Sequence, residues 1–197
     1  MQKGESVPYF DWTFSFLTLT NEKDLLAQLQ DKKTKERAFS VLIREFQESL
    51  YWQIRRMVIS HEDANDILQN TMIKAWSSID NFEGRSQLKT WLSRIATNET
   101  LTFLDKKEKN ISIDEIGSSV SRNLLSDSYF DGDQTQIQLQ EAISKLPKKQ
   151  RLVFNLKYFQ QMKYEEMSQI LGTSIGALKA SYHLAVKKIC EHFHNID

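Results

Sequence analysis

The stretch "YEEMSQILGTSIGALKASYHLAVKKI", residues 164–189, decides how the C-terminal part of this chain folds. Its fifth, ninth and fifteenth places hold Ser168, Gly172 and Leu178. A helix-turn-helix needs a small residue where its helices cross, a glycine where the chain turns with positive φ, and an apolar residue that seats the second helix. The spacing therefore predicts a helix-turn-helix, in which Ser174 is a suitable N-cap for the second helix.

The second helix of this motif contains no arginine between Thr173 and Ile189. Its basic side chains are Lys179, His183, Lys187 and Lys188. A helix in this position enters the major groove of duplex DNA with its N-terminal half facing the bases. The alternative interpretation is a plain helical hairpin. Residues 139–197 hold nine lysines and arginines against five acidic residues, which favours DNA binding.

The composition favours helices and excludes several classes of protein. Among 197 residues, 40% are hydrophobic, and only six are glycine and two are proline. Cys190 is the one cysteine, so an internal disulfide is excluded and a reducing cytoplasm is expected. Charges interrupt the apolar runs, so we expect no membrane insertion.

We also expect neither an enzyme nor a cofactor, because no nucleophile–base pair, phosphate-binding glycine loop or paired catalytic carboxylates stand out. Two groups of side chains resemble metal ligands, at residues 61–66 and 190–194. The spacing of the acids in the first group is common on helices, and the second group has no further ligand pair elsewhere. We therefore expect no metal site.

Most of the chain has the period of an α-helix. Apolar residues recur every three or four positions in three long stretches, residues 38–58, 64–79 and 88–101, and the period returns at Leu139. Residues 110–138 lack this period and hold five acidic residues against one basic residue, which is typical of a linker. The chain is therefore predicted to be all-α, with two small helical domains, residues 22–109 and 139–197, joined by a flexible acidic linker.

Residues 1–21 form an aromatic extension in front of the first domain. They include Tyr9, Phe10, Trp12, Phe14 and Phe16, without a helical period. The extension is interpreted either as a segment that packs on the first domain or as one that docks a partner.

The stretch "NFEGRSQLKTWLSRIATN", residues 81–98, combines side chains that suit single-stranded nucleic acid. The cations for phosphates are Arg85, Lys89 and Arg94; the aromatic faces for stacking are Phe82 and Trp91; the groups that hydrogen-bond a base edge are Ser86, Gln87 and Asn98. The alternative is a loop followed by an amphipathic helix that keeps Trp91 in the core.

Three segments together resemble bacterial RNA polymerase sigma factors of the sigma-70 family, in the extracytoplasmic-function (ECF) group. Residues 63–76, "DANDILQNTMIKAW", are similar to the family's core-binding segment. Residues 82–98 are similar to the segment that reads and melts the −10 element, and residues 146–189 to the domain that binds the −35 element. Three motifs in the family's order, with a tether between the second and the third, make the resemblance specific.

The resemblance implies a protein that binds core RNA polymerase through its clamp and flap, directs it to promoter DNA and helps to melt the −10 region. Core binding would use Asp63, Asp66, Gln69, Asn70 and Trp76. The loop at residues 81–88 would capture a flipped base, and the strand-binding side chains named above would hold the melted strand. The −35 element would contact Ser174, Gly176, Ala177, Lys179, Ser181, Tyr182, His183 and Lys187.

The resemblance also implies regulation and location. The acidic linker would run through the basic nucleic-acid channel of the polymerase. An anti-sigma factor is an expected inhibitory partner, and the protein would be cytoplasmic and would do no bond chemistry itself.

The C-terminal domain departs from the family's pattern. Lys163 stands where a capping serine or threonine is usual. Arginine is common in the family at the positions of Ser181, Leu184 and Val186, and hydroxyl residues at those of Ala177 and Ala180. Fewer phosphate contacts weaken binding and flatten its salt dependence. We therefore expect weak −35 contact, supplemented by tight −10 recognition or by an accessory DNA-targeting protein that holds the C-terminal domain or residues 9–16.

Two other functions stay open from the sequence. One is a two-module transcriptional regulator that binds duplex DNA without polymerase, which would not need the segments at residues 63–76 and 81–98. The other is an adaptor whose helix-turn-helix grips a protein, which the apolar Leu184 and Val186 favour.

Overall fold

A computed structural model describes residues 22–58, 60–108 and 134–194. Within these ranges the long elements are all helical: α1 (Glu22–Gln30), α2 (Lys35–Val58), α3 (His61–Ser78), α4 (Leu88–Glu108), α5 (Gln134–Ser144), α6 (Lys148–Tyr158), α7 (Tyr164–Leu171) and α8 (Ile175–His194), with a 3₁₀ turn at Ile79–Asn81. The predicted all-α class is confirmed. The aromatic extension and most of the linker lie outside the described residues. Helix α5 begins ahead of Leu139, so the segment predicted as linker is too long at its C-terminal end.

Helices α2, α3 and α4 form the first helical unit, because each buries the apolar stripe that the three- and four-residue spacing predicted. Leu42 and Ile54 of α2, Ile67 of α3 and Leu92 of α4 are at most 2% exposed. Full burial of such a side chain stabilises the fold by about 1.5–3 kcal/mol. This shared core fixes the relative positions of the two helices, α3 and α4, that carry the predicted functional surfaces.

Helix α1 holds the loop that precedes α4. Gly84 in this loop has a φ of +69°, in the left-handed region that favours glycine. The Gln30 side-chain amide donates a hydrogen bond to the Phe82 carbonyl at 3.1 Å. The Glu22 carboxylate accepts one from the Leu88 backbone N–H at 2.7 Å and so satisfies a free donor in the first turn of α4. The loop therefore has a defined path into α4.

Helices α7 and α8 form the predicted helix-turn-helix. Gly172 ends α7 with a φ of +61°. The Ser174 hydroxyl accepts a hydrogen bond from the Ala177 N–H at 3.3 Å, so Ser174 caps α8 as predicted. At the start of α7, where Lys163 replaces the usual hydroxyl residue, the Glu166 carboxylate accepts a hydrogen bond from the Lys163 N–H at 2.9 Å. This is the half of a capping box that does not need a hydroxyl.

The two helical units pack against each other and share a core. Helix α6 lies on α2, and α7 lies on α4. Leu156, Met167 and Leu178 of the second unit are at most 1% exposed and belong to the same hydrophobic cluster as the core of the first unit. The sequence predicted two domains on a flexible tether, and it gave no indication of this contact.

Polar groups also join the two units. The Asn155 amide donates a hydrogen bond to the Arg56 carbonyl at 3.3 Å, and Lys148 Nζ lies 2.6 Å from Asp105 Oδ1. The Arg56 guanidinium lies 4.2 Å from the centre of the Phe159 ring, close enough for a cation–π contact. Burial lowers the pKa of Arg56 to about 10, so the group stays charged at neutral pH.

A buried amide extends this polar contact into the first unit. Gln53 is 3% exposed. Its Oε1 accepts hydrogen bonds from the Ser93 hydroxyl at 2.7 Å and from the Gln160 amide at 3.1 Å, and its Nε2 donates to Thr97 Oγ1 at 2.9 Å. The Ser93 and Thr97 contacts satisfy Gln53 within the first unit, and Gln160 adds one further hydrogen bond that joins the two units.

Candidate nucleic-acid interface

A cleft of about 340 Å³ lies where the loop before α4 meets α7. On the first unit its walls are Arg85, Ser86, Thr90, Trp91 and Arg94. Gln169 and Ile170 of α7 form the facing wall. The cleft combines cations, hydroxyl groups and an aromatic ring, the groups that hold a single strand by its phosphates and bases. Several side chains that the sequence predicted to bind a single strand are thus brought together.

The two aromatic residues of this segment have different positions. Trp91 is half-buried and lines the cleft, so it both packs on the core and offers part of its ring. Phe82 is 7% exposed, and its ring lies behind Trp91 with the ring centres 5.1 Å apart. The prediction that Phe82 offers a stacking face is therefore corrected. The reason is local, since the 3₁₀ turn closes through a hydrogen bond from the Phe82 N–H to the Ile79 carbonyl and the ring enters the core.

The other predicted strand-binding side chains are accessible. Those exposed to solvent are Arg85, Gln87, Lys89, Arg94 and Asn98, and Ser86 is half-exposed. Trp91, Arg94 and Asn98 are three and four positions apart, so they line one side of α4. Arg85 forms an ion pair with Glu83, and both side chains are exposed. Such a pair contributes only about 0–1 kcal/mol, so Arg85 can exchange it for a phosphate.

Helix α3 carries the predicted core-binding segment. Asp66, Gln69 and Asn70 are exposed on one side of the helix, as expected. Asp63 is half-buried, and its carboxylate lies 2.7 Å from Lys107 Nζ of α4. A partner that contacts Asp63 therefore meets a carboxylate already paired with Lys107.

Two apolar side chains extend the outer face of α3. Trp76 is 36% exposed, packs edge-on against Phe39 with ring centres 5.0 Å apart, and has Lys35 Nζ 4.5 Å from its ring centre. Ile73 is 57% exposed and was missed by sequence reasoning. The sequence does mark this position, because Ile73 is an apolar residue outside the apolar stripe of α3. Exposed large apolar side chains next to one another are typical of a protein-binding surface.

Helix α8 exposes an apolar line beside its cations. Its buried side holds Leu178, Ala185 and Ile189, which are 0–7% exposed. The opposite side carries Ala177, Ala180 and Leu184, all exposed, with Leu184 at 46%. The side of α8 that faces away from the core therefore has no arginine.

Tyr182 and Val186 face the core more than the sequence predicted. The Tyr182 ring is half-buried and stacks on Phe154, with ring centres 5.9 Å apart. Burial, followed by the proximity of Tyr164 and Tyr158, raises the pKa of Tyr182. Val186 is half-buried against the cluster that contains Phe154. Both corrections follow from helical geometry, since residues four apart share a side and Tyr182 is committed to the core.

The remaining candidates for −35 contact border the apolar line: Ser174, Gly176, Lys179, Ser181, His183 and Lys187. All are exposed except Ser181, which is half-buried. Lys187 Nζ lies 3.9 Å from Glu191, and Lys179 Nζ lies 5.8 Å from the Tyr164 ring centre. These surface contacts are weak, so both lysines can turn to phosphates.

Two further observations concern His61, one of the metal-ligand-like side chains at residues 61–66, and the length and apolar character of the helices. The ring nitrogens of His61 are hydrogen-bonded to the Tyr51 hydroxyl at 2.7 Å and to the Asn65 amide at 2.9 Å. Of the helices in the described ranges, none combines the length and the apolar character that crossing a membrane requires.

Comparison with known proteins finds relatives of both helical units. The family described as "Sigma-70 region 2" matches residues 42–110, and that described as "Sigma-70, region 4" matches residues 136–189. The ECF RNA polymerase sigma factor SigW of Bacillus subtilis (strain 168) is 31% identical over 164 residues, which cover 78% of this chain and 88% of SigW. The RNA polymerase sigma factor SigV of the same strain is 27% identical over 160 residues, covering 81% and 93% of the two chains.

Two solved structures have a similar fold. The sigma factor RpoE from Bartonella quintana, in complex with the anti-sigma factor NepR, gives a TM-score of 0.66 at 23% identity and covers 79% of this chain and 96% of its own. CnrH in complex with the cytosolic domain of CnrY gives a TM-score of 0.66 at 21% identity and covers 89% and 99%. At these identities the likeness concerns the fold.

Proposed function

Because this chain belongs to the extracytoplasmic-function group of RNA polymerase sigma factors, we propose that the wall of this cleft that carries Trp91, formed by α4 and the loop before it, captures the non-template strand of the −10 region. Sigma factors act with core polymerase in transcription initiation, so a regulator or adaptor that works without polymerase is not favoured. The observation that carries the proposal is the convergence of Arg85, Arg94 and Trp91 on one cleft. Flipping a base costs a few kcal/mol, and stacking on an aromatic ring contributes about 1–3 kcal/mol per base in return.

The test uses polymerase holoenzyme assembled from the full chain and core. Thymines of the melted region react with permanganate only when they are unstacked. With Arg94→Ala, we expect the closed complex to form and thymine reactivity to fall. Arg44→Ala is a matched control, because Arg44 is an exposed arginine on α2, away from the cleft. Equal reactivity in the two variants would contradict the proposed role of the cleft.

The outer face of α3 is proposed as the surface that binds core polymerase. The support is its mixed chemistry. Asp66, Gln69 and Asn70 supply exposed polar groups, and Ile73 and Trp76 supply apolar area beside them. Interfaces that bind protein combine an apolar centre with a polar rim, and this face has both.

Helix α8 is proposed to contact duplex DNA of the −35 element. It is the second helix of a helix-turn-helix, its N-terminus is capped by Ser174, and the side chains on its outward side are exposed. Lys179 and Lys187 are the cations proposed for phosphate contact.

The packed arrangement of the two units must open during initiation. The elements named −10 and −35 are separated by about 25 base pairs, on the order of 80 Å of duplex at about 3.4 Å per base pair. In the packed arrangement, Gln169 and Ile170 of the helix-turn-helix line the same cleft as Trp91. One molecule so arranged cannot reach both elements, so we propose that the units separate when holoenzyme engages a promoter.

A reversible cross-link tests this opening. Asp105→Cys and Lys148→Cys, in a Cys190→Ser background, place two thiols at an existing contact between the units. A short cleavable bismaleimide should join them, block promoter opening by holoenzyme, and release it on cleavage. Each single-cysteine chain treated alike is the control. Full activity of the joined chain would contradict the need for separation.

Two further partners are proposed. One is an anti-sigma factor, since the similar structure of RpoE from Bartonella quintana is a complex with the anti-sigma factor NepR. The other is an accessory DNA-targeting protein, supported by the sparse cations of α8. Intact mass measurement of the chain isolated from its cells, free of polymerase, would reveal a stoichiometric partner of either kind. A bare chain under both inducing and resting growth would contradict them.

A further inference from the structure

Helix α8 carries a line of apolar side chains along one flank of its outward side. Successive residues of an α-helix are about 100° apart, which sets Lys187 opposite the buried side formed by Leu178, Ala185 and Ile189, with Ala180 next to it. Leu184 lies one turn further on and is 46% exposed. An isolated exposed leucine is ordinary on a protein surface. Leu184 differs from such a residue because it lies on the outward side of the second helix of a helix-turn-helix, and that side enters the major groove.

Cations flank this apolar line. Lys187, with His183 beyond it, borders the line toward the centre of the outward side, Lys188 borders it on the other flank, and all three are exposed. A groove of duplex DNA has the complementary pattern, with base edges in its floor and phosphates along its walls. Charge complementarity therefore favours duplex DNA as the occupant of this side, with the apolar line of α8 over the bases.

The chemistry of the apolar line limits which base it can recognise. In the major groove, guanine presents two acceptors, adenine an acceptor and a donor, and cytosine a donor. Thymine also presents a methyl group, the apolar feature of the groove floor. Leucine and alanine side chains cannot hydrogen-bond, so opposite guanine they would leave its acceptors unpaired, whereas opposite thymine they bury the methyl.

We propose that Leu184, assisted by Ala180, reads thymine methyl groups, so that this sigma factor selects thymine at the base pair that Leu184 faces. The inference rests on the proposed contact between α8 and duplex DNA. It assigns a base preference to a surface that is poor in phosphate-binding groups. Specificity at this element then comes from shape and methyl contact more than from charge.

The first experiment is selection of duplexes by holoenzyme, assembled from full-length chain and core, from a library randomised upstream of a fixed −10 element. Thymine should be enriched at one or two positions on either strand. Leu184→Arg should move the enrichment at one of these positions to guanine, since arginine pairs with its two acceptors. Enrichment of guanine or cytosine by the unaltered chain would overturn the inference.

The second experiment removes only the methyl groups. The selected thymines are replaced by deoxyuridine, which preserves base pairing. Holoenzyme affinity should fall about fourfold for each contacted methyl, from the burial free energy of one such group. Leu184→Met, which keeps an apolar reach, should retain most of this dependence, and Leu184→Ala should lose it. Helix content measured by circular dichroism should be the same for all variants, because Leu184 is half-exposed.

The two experiments distinguish a failure of methyl reading by Leu184 from a failure of the proposed contact between α8 and duplex DNA. Enrichment of an upstream sequence whose binding is indifferent to deoxyuridine would overturn methyl reading and leave α8 as a DNA-contacting helix. A deoxyuridine effect of equal size in Leu184→Ala would assign the methyl contact to another residue and also overturn the inference. No upstream enrichment at all, with normal −10 dependence, would overturn the proposed contact of α8 with DNA and the inference together.

Discussion

The cleft beside α4 and the outward side of α8 are both proposed to hold promoter DNA, yet their chemistry differs. The cleft and its surroundings offer three exposed cations, Arg85, Lys89 and Arg94, around the Trp91 ring. The outward side of α8 has a line of alanine and leucine beside Lys187 and His183, and it has no arginine. Cations and stacking supply affinity for nucleic acid, whereas apolar contacts with base edges supply discrimination.

This difference assigns unequal roles to the two units. Each neutralised phosphate adds to affinity and to its salt dependence, so the first unit should dominate both. The second unit should contribute selectivity for DNA sequence while making few phosphate contacts. Mutations that weaken one surface at a time test whether the two units have these unequal roles.

The largest effect is expected at the aromatic ring of the cleft. Trp91→Ala removes a stacking face worth about 1–3 kcal/mol per base, so promoter opening should fall roughly 5- to 150-fold. Permanganate reactivity of promoter thymines, together with the yield of closed complex, measures it. Trp91→Phe keeps an aromatic face and should retain most of the opening. A folded Trp91→Ala protein with normal reactivity would show that the ring serves only the core.

A smaller effect is expected on the outer face of α3. Asp66→Arg reverses a charge at an exposed position, so folding should survive and affinity for core polymerase should fall about tenfold, or about 1.4 kcal/mol. Glu48→Arg makes the same charge change at an exposed position of α2 and should leave core affinity unchanged. Competition binding with labelled core compares the two. Equal affinities would mean that the core-binding surface lies elsewhere.

The smallest effects are expected on α8. Lys179→Ala and Lys187→Ala should each lower the slope of log affinity against log salt by about one unit. That is roughly a three- to fourfold change between 50 and 200 mM salt. Lys145→Ala, which removes an exposed lysine before α6, should leave the slope unaltered. A drop of several units from either α8 variant would mean that this helix grips phosphates far more strongly than its surface indicates.

Local patterns allowed much of this molecule to be predicted. The stripes of α2, α3 and α4 follow from apolar spacing, and the turn at Gly172 follows from a glycine at a position that requires positive φ. These features depend on residues near one another in sequence.

The misassigned residues depend on features that apolar spacing does not show. Phe82 enters the core because a local 3₁₀ turn places its ring next to Trp91, and Tyr182 because Phe154, distant in sequence, offers a ring to stack on. The contact between the units uses Gln53, Arg56 and Asn155, polar residues of a kind that usually lie at the surface. Sequence spacing carries no information about which of them will be buried.

The most direct test of the unequal roles is transcription by holoenzyme from three promoters that differ in one element each. The reference carries both elements, the second has its −10 region replaced, and the third has its upstream duplex element replaced. We expect near-complete loss of transcript from the second promoter. From the third we expect a loss of no more than about tenfold, with a salt slope within about two units of the reference. Equal loss from both promoters, or a much shallower salt slope when the upstream element is replaced, would contradict the unequal roles of the two units.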